Sequence, residues 1–253
     1  MVDAWSQRAE HYASSSLFQA GPELGRLLAL ARPTWSDSCL DIGTGTGHVA
    51  ALLAKHAGNV IGLDPSEAML RSAMADYGHV NNLDFVFGYA HDTGQLAASY
   101  DIVTVRHAAH HFASIQGFLA ESYRVLKPGG RLVIVDEVTA DTEIDDWFHA
   151  LETLRDDSHH RAYLMREWHS FIDSSGLQWV VGDQYTRLPI EVSSWLARSN
   201  LDHEGRADVY EHFMLASPKE RSLLNIRYEN RMAVSFDLPL AMILAIKPLE
   251  ESA

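Results

Sequence analysis

Cysteine is nearly absent from this sequence, with one residue, Cys39, in 253. A single thiol excludes an internal disulfide, and its place inside an apolar run marks it as a core thiol rather than a nucleophile. Basic residues are scarce as well: 20 Lys and Arg stand against 34 Asp and Glu, a formal net charge of −14. Such a surface repels nucleic acid and anionic lipid, so neither is expected as a partner, although a local cationic pocket stays compatible with it. No apolar run approaches the ~20 residues that cross a bilayer. The opening Met1-Val2-Asp3-Ala4-Trp5 carries neither the basic region nor the apolar block of a signal peptide. Internal repeats, low-complexity tracts and a domain linker are also missing. The expectation is one cytoplasmic domain, residues 1–253, whose 47% hydrophobic content can build a full core.

What is present is concentrated in Cys39-Leu40-Asp41-Ile42-Gly43-Thr44-Gly45-Thr46-Gly47, followed by the apolar Val49 to Ala54. The pattern is strand, tight loop, helix. Alternating glycines permit unusual backbone angles and leave no Cβ between the loop and a ligand. A dinucleotide fingerprint would carry a third glycine where His48 stands, which weakens a pyrophosphate reading. Asp41 would repel a phosphate yet suits a ligand bearing an ammonium group. S-adenosyl-L-methionine (SAM) has that ammonium, a carboxylate for the helix N–H groups, and no phosphate. A second acid, Asp64, ends the next apolar run at Val60-Ile61-Gly62-Leu63, spaced like a carboxylate that binds ribose hydroxyls.

The chain resembles the class I SAM-dependent methyltransferases in four motifs taken in order. These are Asp41-x-Gly43-x-Gly45-x-Gly47; Val60 to Ser66 with Met69-Leu70; Tyr100-Asp101-Ile102-Val103; and Arg124-Val125-Leu126-Lys127-Pro128-Gly129-Gly130. Within that superfamily it is similar to the small-molecule branch of the ubiquinone/menaquinone C-methyltransferase type and its relatives with an Arg-x-x-x-His-His stretch, here Arg106 to His111. The regular βα alternation argues a parallel sheet with helices on both faces. The resemblance implies a Rossmann-like, seven-stranded, mostly parallel sheet with an antiparallel last pair and a helical cap insertion before the last strand. It further implies SAM as cofactor, with Pro65 and Met69 near the adenine, although Met69 also reads as plain core filler. An acid usually stands where this chain has Tyr89, so Ala90, His91 or Asp92 are the candidates for the adenine contact. In the N-terminal segment 1–20, Ala9 and Tyr12 are similar to a stretch that folds over the cofactor. Tyr12 is then a lid residue beside the reactive methyl, or else part of a helix packing Trp5 and Tyr12 on the sheet.

The fourth strand runs into Arg106-His107-Ala108-Ala109-His110-His111-Phe112, which places these residues beyond the carboxyl ends of the strands, where such sheets bind ligands. His110 and His111 are candidate general bases, and Arg106 is a cation able to contact cofactor or an anionic substrate. A structural role for one histidine is the competing reading. A zinc site of His107, His110 and His111 lacks a cysteine or an obvious carboxylate, so no metal is expected. From Trp147 to Arg161 a helix-like stretch holds Glu152, Arg155, Asp156, His159, His160 and Arg161. Such a mixture usually marks a solvated face. The functional alternative is a polar substrate wall, with Arg155 or His159 facing the Arg106 cluster.

From Pro189 to Tyr228 the alternation breaks into amphipathic helices carrying Trp195, Tyr210, Phe213 and Met214. The segment 189–228 is expected to form a mobile cap over the substrate, or else a homodimer interface. The function that follows is SAM-dependent methyl transfer to a small, largely apolar or aromatic molecule. A protein that binds SAM without transferring its methyl is the alternative, and a nicotinamide-dependent oxidoreductase a distant one.

Overall fold

The structure is a computed structural model that describes Gly21 and residues 23–249, apart from the side chains of 183–186. In chain order the elements are α1 (Glu23–Ala31), β1 (Ser38–Ile42), α2 (His48–Ala54), β2 (Asn59–Asp64), α3 (Glu67–Tyr77), β3 (Leu83–Phe87) and β4 (Tyr100–Arg106). They continue as α4 (Ile115–Val125), β5 (Leu126–Glu137), α5 (Asp145–Arg155), α6 (Met165–Ser174), β6 (Gln178–Glu191), α7 (Val192–Ala197), α8 (His203–Met214), α9 (Pro218–Leu223), β7 (Arg227–Glu229) and β8 (Met232–Ile246). The strands form one sheet in the order β3-β2-β1-β4-β5-β8-β6, and the short β7 pairs with β8. The first five strands run parallel, while β8 lies antiparallel to β5, β6 and β7. The seven expected strands are therefore joined by an eighth, β7.

Strands β1 and β4 show why the sheet is covered on both sides. Cys39, Leu40 and Ile42, like Ile102, Val103 and Val105, have no exposed surface, which only a two-faced cover allows. On one face Leu27 of α1 and Leu53 of α2 pack with Ile102 and Val133. On the other, Phe118 and Leu119 of α4 and Trp168 and Ile172 of α6 pack with Val103 and Val105. The sheet thus holds its carboxyl edge, where β1, β2, β4 and β5 all end, as a rigid rim.

A third core lies beyond that rim. Strands β6 and β8 continue past the end of β5, from the Glu137–Leu240 pair out to Glu191 and Ser235. On this extension α7, α8 and α9 close around Trp195, Phe213, Leu224 and Phe236 together with Phe148 and Leu151 of α5. The helical insertion accordingly runs from Val192, because Pro189–Glu191 belong to β6. Its large apolar residues pack on one another and on α5: the tilted Phe213 ring lies 5.5 Å from that of Phe236, and Trp195 meets the same ring edge-on at 5.1 Å. Of the four expected to cover the substrate, Trp195 and Phe213 are buried within this chain, Tyr210 is half-buried and Met214 is exposed.

The stretch read as a solvated helix from Trp147 to Arg161 also differs. Helix α5 stops at Arg155, and Glu152, Arg155, Asp156, Ser158 and His159 are all buried. Their polar face is covered because α5 is wedged between the rim of the sheet and the insertion, which a single-helix pattern does not report.

Candidate active site

The glycine loop is strapped to the second strand. Gly43 and Thr44 both donate their backbone N–H to the Leu63 carbonyl, at 2.8 and 3.0 Å. Gly45 donates to Asp64 Oδ2 and Ser66 to Asp64 Oδ1, each at 2.8 Å. Asp64 therefore fixes the loop and the start of α3 at once. Gly43 (φ 68°) has its missing Cβ pressed against Ala108, where a methyl would come within 2.6 Å. Gly45 (φ 54°) is the opposite case, since a Cβ there would meet nothing within 4 Å and would project into open space. That space is a cavity of about 440 Å³, within the range of small-molecule sites.

Both acids sit at this cavity and both are desolvated. Asp41 is 2% exposed and accepts a 2.6 Å bond from Thr104. Burial pushes its carboxyl up to about 6, despite the hydroxyls of Thr104 and Thr44. Burial likewise lifts Asp64 to about 6 against its two backbone donors. A cationic ligand group would favour the ionised form of such an acid. The residues expected at the adenine, Pro65, Met69, Ala90 and His91, all line the same cavity, and Met69 is both buried and on the wall. Tyr89 joins them, stacked on His91 with ring centres 5.7 Å apart. Tyr12 and the segment 1–20 lie outside the described residues.

At the end of β4 the structure separates residues that the sequence lists side by side. Arg106 lines the cavity, but Glu23 of α1 takes its guanidinium through a 3.0 Å bond from Nε and a second from Nη2. Burial opposes the Glu23 charge, yet the His107 hydrogen bond and the Arg106 guanidinium hold its carboxyl down at about 2. Arg106, expected to contact cofactor or an anionic substrate, is thus on the cavity wall and also ion-paired with a charge from α1. His107 takes a left-handed backbone conformation (φ 50°) with its Nε2 3.5 Å from the same Glu23 oxygen.

The two histidines that follow are not equivalent. They form a short 3-10 turn with Ala109, and Asp136 at the end of β5 anchors it by accepting from the Ala108 and Ala109 N–H groups. His110 turns inward, its Nδ1 2.5 Å from Asp136 Oδ1. Burial disfavours its charge, but the Glu137 and Asp136 carboxylates outweigh that and push its pKa up to about 10. His110 is thus an imidazolium at neutral pH and is unsuited to take a proton. His111 lines the cavity, and burial together with the His110 cation holds its pKa well below 6.5. It is the neutral member of the pair.

Arg155 and His159 reach this wall without facing Arg106. His159 Nδ1 lies 3.2 Å from Glu137 Oε1, and its ring stacks 5.5 Å from that of His110. Arg155 pairs with Asp156 at 3.6 Å and lies over the Trp195 ring at 5.1 Å. Among the described residues, neither lines the cofactor cavity. His110, Glu137 and His159 bring one donor atom each within 4.8 Å of one another, a different trio from His107, His110 and His111. It includes the carboxylate missing from the sequence pattern, while His110 Nδ1 is held by Asp136. The residues that sequence reasoning missed are Glu23, an unremarkable helix acid, and Ser158, a lone hydroxyl in a charged run. No local signal marks either.

Comparison with known proteins places this geometry. A family described as a methyltransferase domain matches residues 40–134. The uncharacterized methyltransferase YcgJ of Bacillus subtilis is 32% identical over 247 residues, which cover 96% of this chain and 97% of that protein. Its crystal structure superposes with a TM-score of 0.86, covering 90% of this chain and 99% of that one. A ubiquinone/menaquinone biosynthesis C-methyltransferase of Brucella anthropi is 35% identical over 132 residues, 47% of this chain and 49% of that protein.

Proposed function

The chain belongs to the class I SAM-dependent methyltransferases, and from that premise we propose that it methylates a small, largely apolar or aromatic molecule held beside His111. SAM, when bound, supplies an activated methyl group on a sulfonium. The chain's own part is to hold, to orient and to accept a proton. Asp64, with the Gly45 N–H, is the ribose end of the cofactor site, and Asp41 is the acid for the ammonium. Pro65, Met69, Ala90 and His91 line the adenine end, where Tyr89 adds a ring. Val49, Leu63, Ala108 and Phe112 give the cavity apolar walls that exclude water. A nucleic-acid substrate is disfavoured by the net charge of −14. His111, neutral and on the cavity wall, is the base for a substrate that must lose a proton, while His110 serves as a fixed cation behind it.

The observation that carries this reading is the bond from Gly45 N–H to Asp64, which unites the acid-led glycine loop with the second acid around one cavity. Calorimetry with S-adenosylhomocysteine tests it. Gly45→Val puts a branched side chain into the open space, and Asp64→Ala removes both acceptors at a cost of about 1.5–3 kcal/mol for charge-assisted bonds. Both variants should bind more weakly than the wild type. Unchanged affinity in both would remove the cofactor assignment, and incubation with methyl-labelled SAM and a metabolite extract then identifies the substrate.

A further inference from the structure

Beyond the rim, the loop that follows α5 is tied to the His110–His111 turn at several points. The His110 carbonyl accepts from the N–H groups of His160 (2.8 Å) and Arg161 (3.1 Å), so the loop is bonded to the turn through its backbone. Inside the loop, Asp156 Oδ1 accepts both the Ser158 N–H at 2.9 Å and the Ser158 hydroxyl at 2.6 Å. The Asp156 carbonyl also accepts from His159 N–H at 3.0 Å, closing a tight turn around Ser158. Ser158 in turn meets His111: its carbonyl lies 3.1 Å from His111 Nδ1 and its hydroxyl oxygen 3.2 Å from the same nitrogen.

The protonation of His111 can be read from these partners. A backbone carbonyl only accepts, so the Nδ1 that faces it must carry the proton. The Ser158 hydroxyl has given its single hydrogen to Asp156 and faces Nδ1 with a lone pair, which demands the same tautomer. A neutral imidazole with its proton on Nδ1 has its lone pair on Nε2. We propose that Asp156 and Ser158 are positioning residues that lock His111 in the Nδ1–H tautomer, making Nε2 the basic nitrogen, and that the substrate's nucleophilic atom therefore carries a hydrogen. This proposal rests on the methyl-transfer reading for its substrate class and on the hydrogen bonds alone for the tautomer.

The proton balance is simple. The nucleophile's X–H bond breaks and its proton passes to His111 Nε2, giving an imidazolium. The nucleophile's electron pair forms the bond to the methyl carbon supplied by SAM, and the sulfur keeps the pair of the bond it loses. Among the groups that act on the charge of His111 are the His110 cation from the same turn, which lowers its pKa, and Asp156 from the loop and Glu137 from β5, which raise it. An oxygen or carbon acid is the substrate class that uses such a base, whereas a neutral tertiary amine has no need of it.

The test is nitrogen NMR on the whole protein with 15N-labelled histidine, without substrate, the His111 signals being assigned by their loss in His111→Gln. The wild type should show His111 as a single neutral Nδ1–H tautomer at pH 7. Asp156→Ala should release the turn and bring in the Nε2–H form. Asp156→Asn, which keeps the acceptor oxygen, should restore the wild-type spectrum. Once a substrate is known, Asp156→Ala should lower kcat at least about tenfold with KM for SAM unchanged. An Nε2–H tautomer in the wild type overturns the proposal whatever the variants do, and so does a wild-type spectrum in folded Asp156→Ala. Should Asp156→Ala fail to fold, the wild-type spectrum and Ser158→Ala, which removes one of the two acceptors, decide. Loss of S-adenosylhomocysteine binding in calorimetry would instead sink the methyltransferase site, and that result is independent of the tautomer.

Discussion

Asp41, the acid proposed to hold the ligand's ammonium, opposes the stability of the cofactor-free protein. Its carboxyl is buried and raised from 3.8 to about 6, so at neutral pH the folded chain holds an ionised acid that burial disfavours. Each pKa unit is worth about 1.36 kcal/mol, and a shift of this size costs about 1–3 kcal/mol at pH 7. Asp41→Asn removes the charge and keeps an oxygen to accept from Thr104. Thermal melts of the cofactor-free variant at pH 7 should therefore show a higher Tm than the wild type, while calorimetry shows weaker binding of S-adenosylhomocysteine. A lower Tm would mean that the Asp41 charge is already compensated within the protein. The histidines teach a related lesson. Adjacent in sequence, His110 and His111 differ in charge because Asp136 and Glu137 hold a proton on the first, while burial and the His110 cation keep the second neutral. A rate limited by His111 should accordingly lack a rise with pH near 6.5, since that base is already neutral there.

At the scale of elements, the insertion from α7 to α9 packs as a shoulder on α5. Its aromatic residues form a core with α5, and among the described residues none of them lines the cofactor cavity. Phe213→Ala should cost about 3–5 kcal/mol, the usual range for removing a buried aromatic ring, and leave S-adenosylhomocysteine affinity unchanged. Denaturant melts and calorimetry on the same preparation check both halves. Hydrogen exchange adds a second measure, because a shoulder should be equally protected with and without ligand, whereas a lid gains protection when the cavity fills. The importance of the shoulder for the site is indirect: it covers α5, presses Arg155 over Trp195, and so fixes the loop that carries Ser158.

For the whole molecule, the buried charges set opposing pH dependences. Glu23 and Glu137 are held near 2, so their stabilisation is present above 4.5 and is lost as pH falls through about 2. Asp41 and Asp64 are raised to about 6, so theirs is present below 3.8 and is lost as pH rises through about 6. His110, raised to about 10, stabilises fully below 6.5 and loses that contribution as pH climbs through 10. Together these place the greatest stability of the cofactor-free protein on the acid side of neutrality, with a decline from there to pH 10. Because a cation beside Asp41 favours its ionised form, S-adenosylhomocysteine should raise Tm more at pH 7 than at pH 5. Thermal melts across that range are the measurement, and a larger shift at pH 5 would contradict the role given to Asp41. The formal net charge is −14, and among the described residues no helix is long and apolar enough to cross a membrane.

The βα alternation, the parallel sheet it implies and the glycine loop between two acids were legible in the residues alone. Those features rest on short-range patterns: runs such as Cys39-Leu40 and Val60-Ile61, glycines at fixed spacing, and acids one step beyond the strand ends. The extra strand β7, the true end of α5 at Arg155 and the burial of its polar face were decided by tertiary contact, since the same residues would be solvated on an isolated helix. The division between His110 and His111, the capture of Arg106 by Glu23, and the link from Asp156 through Ser158 to His111 join residues 26, 83 and 47 positions apart. Charge and tautomer depend on the nearest few ångströms, and local patterns carry no information about which distant side chain fills them.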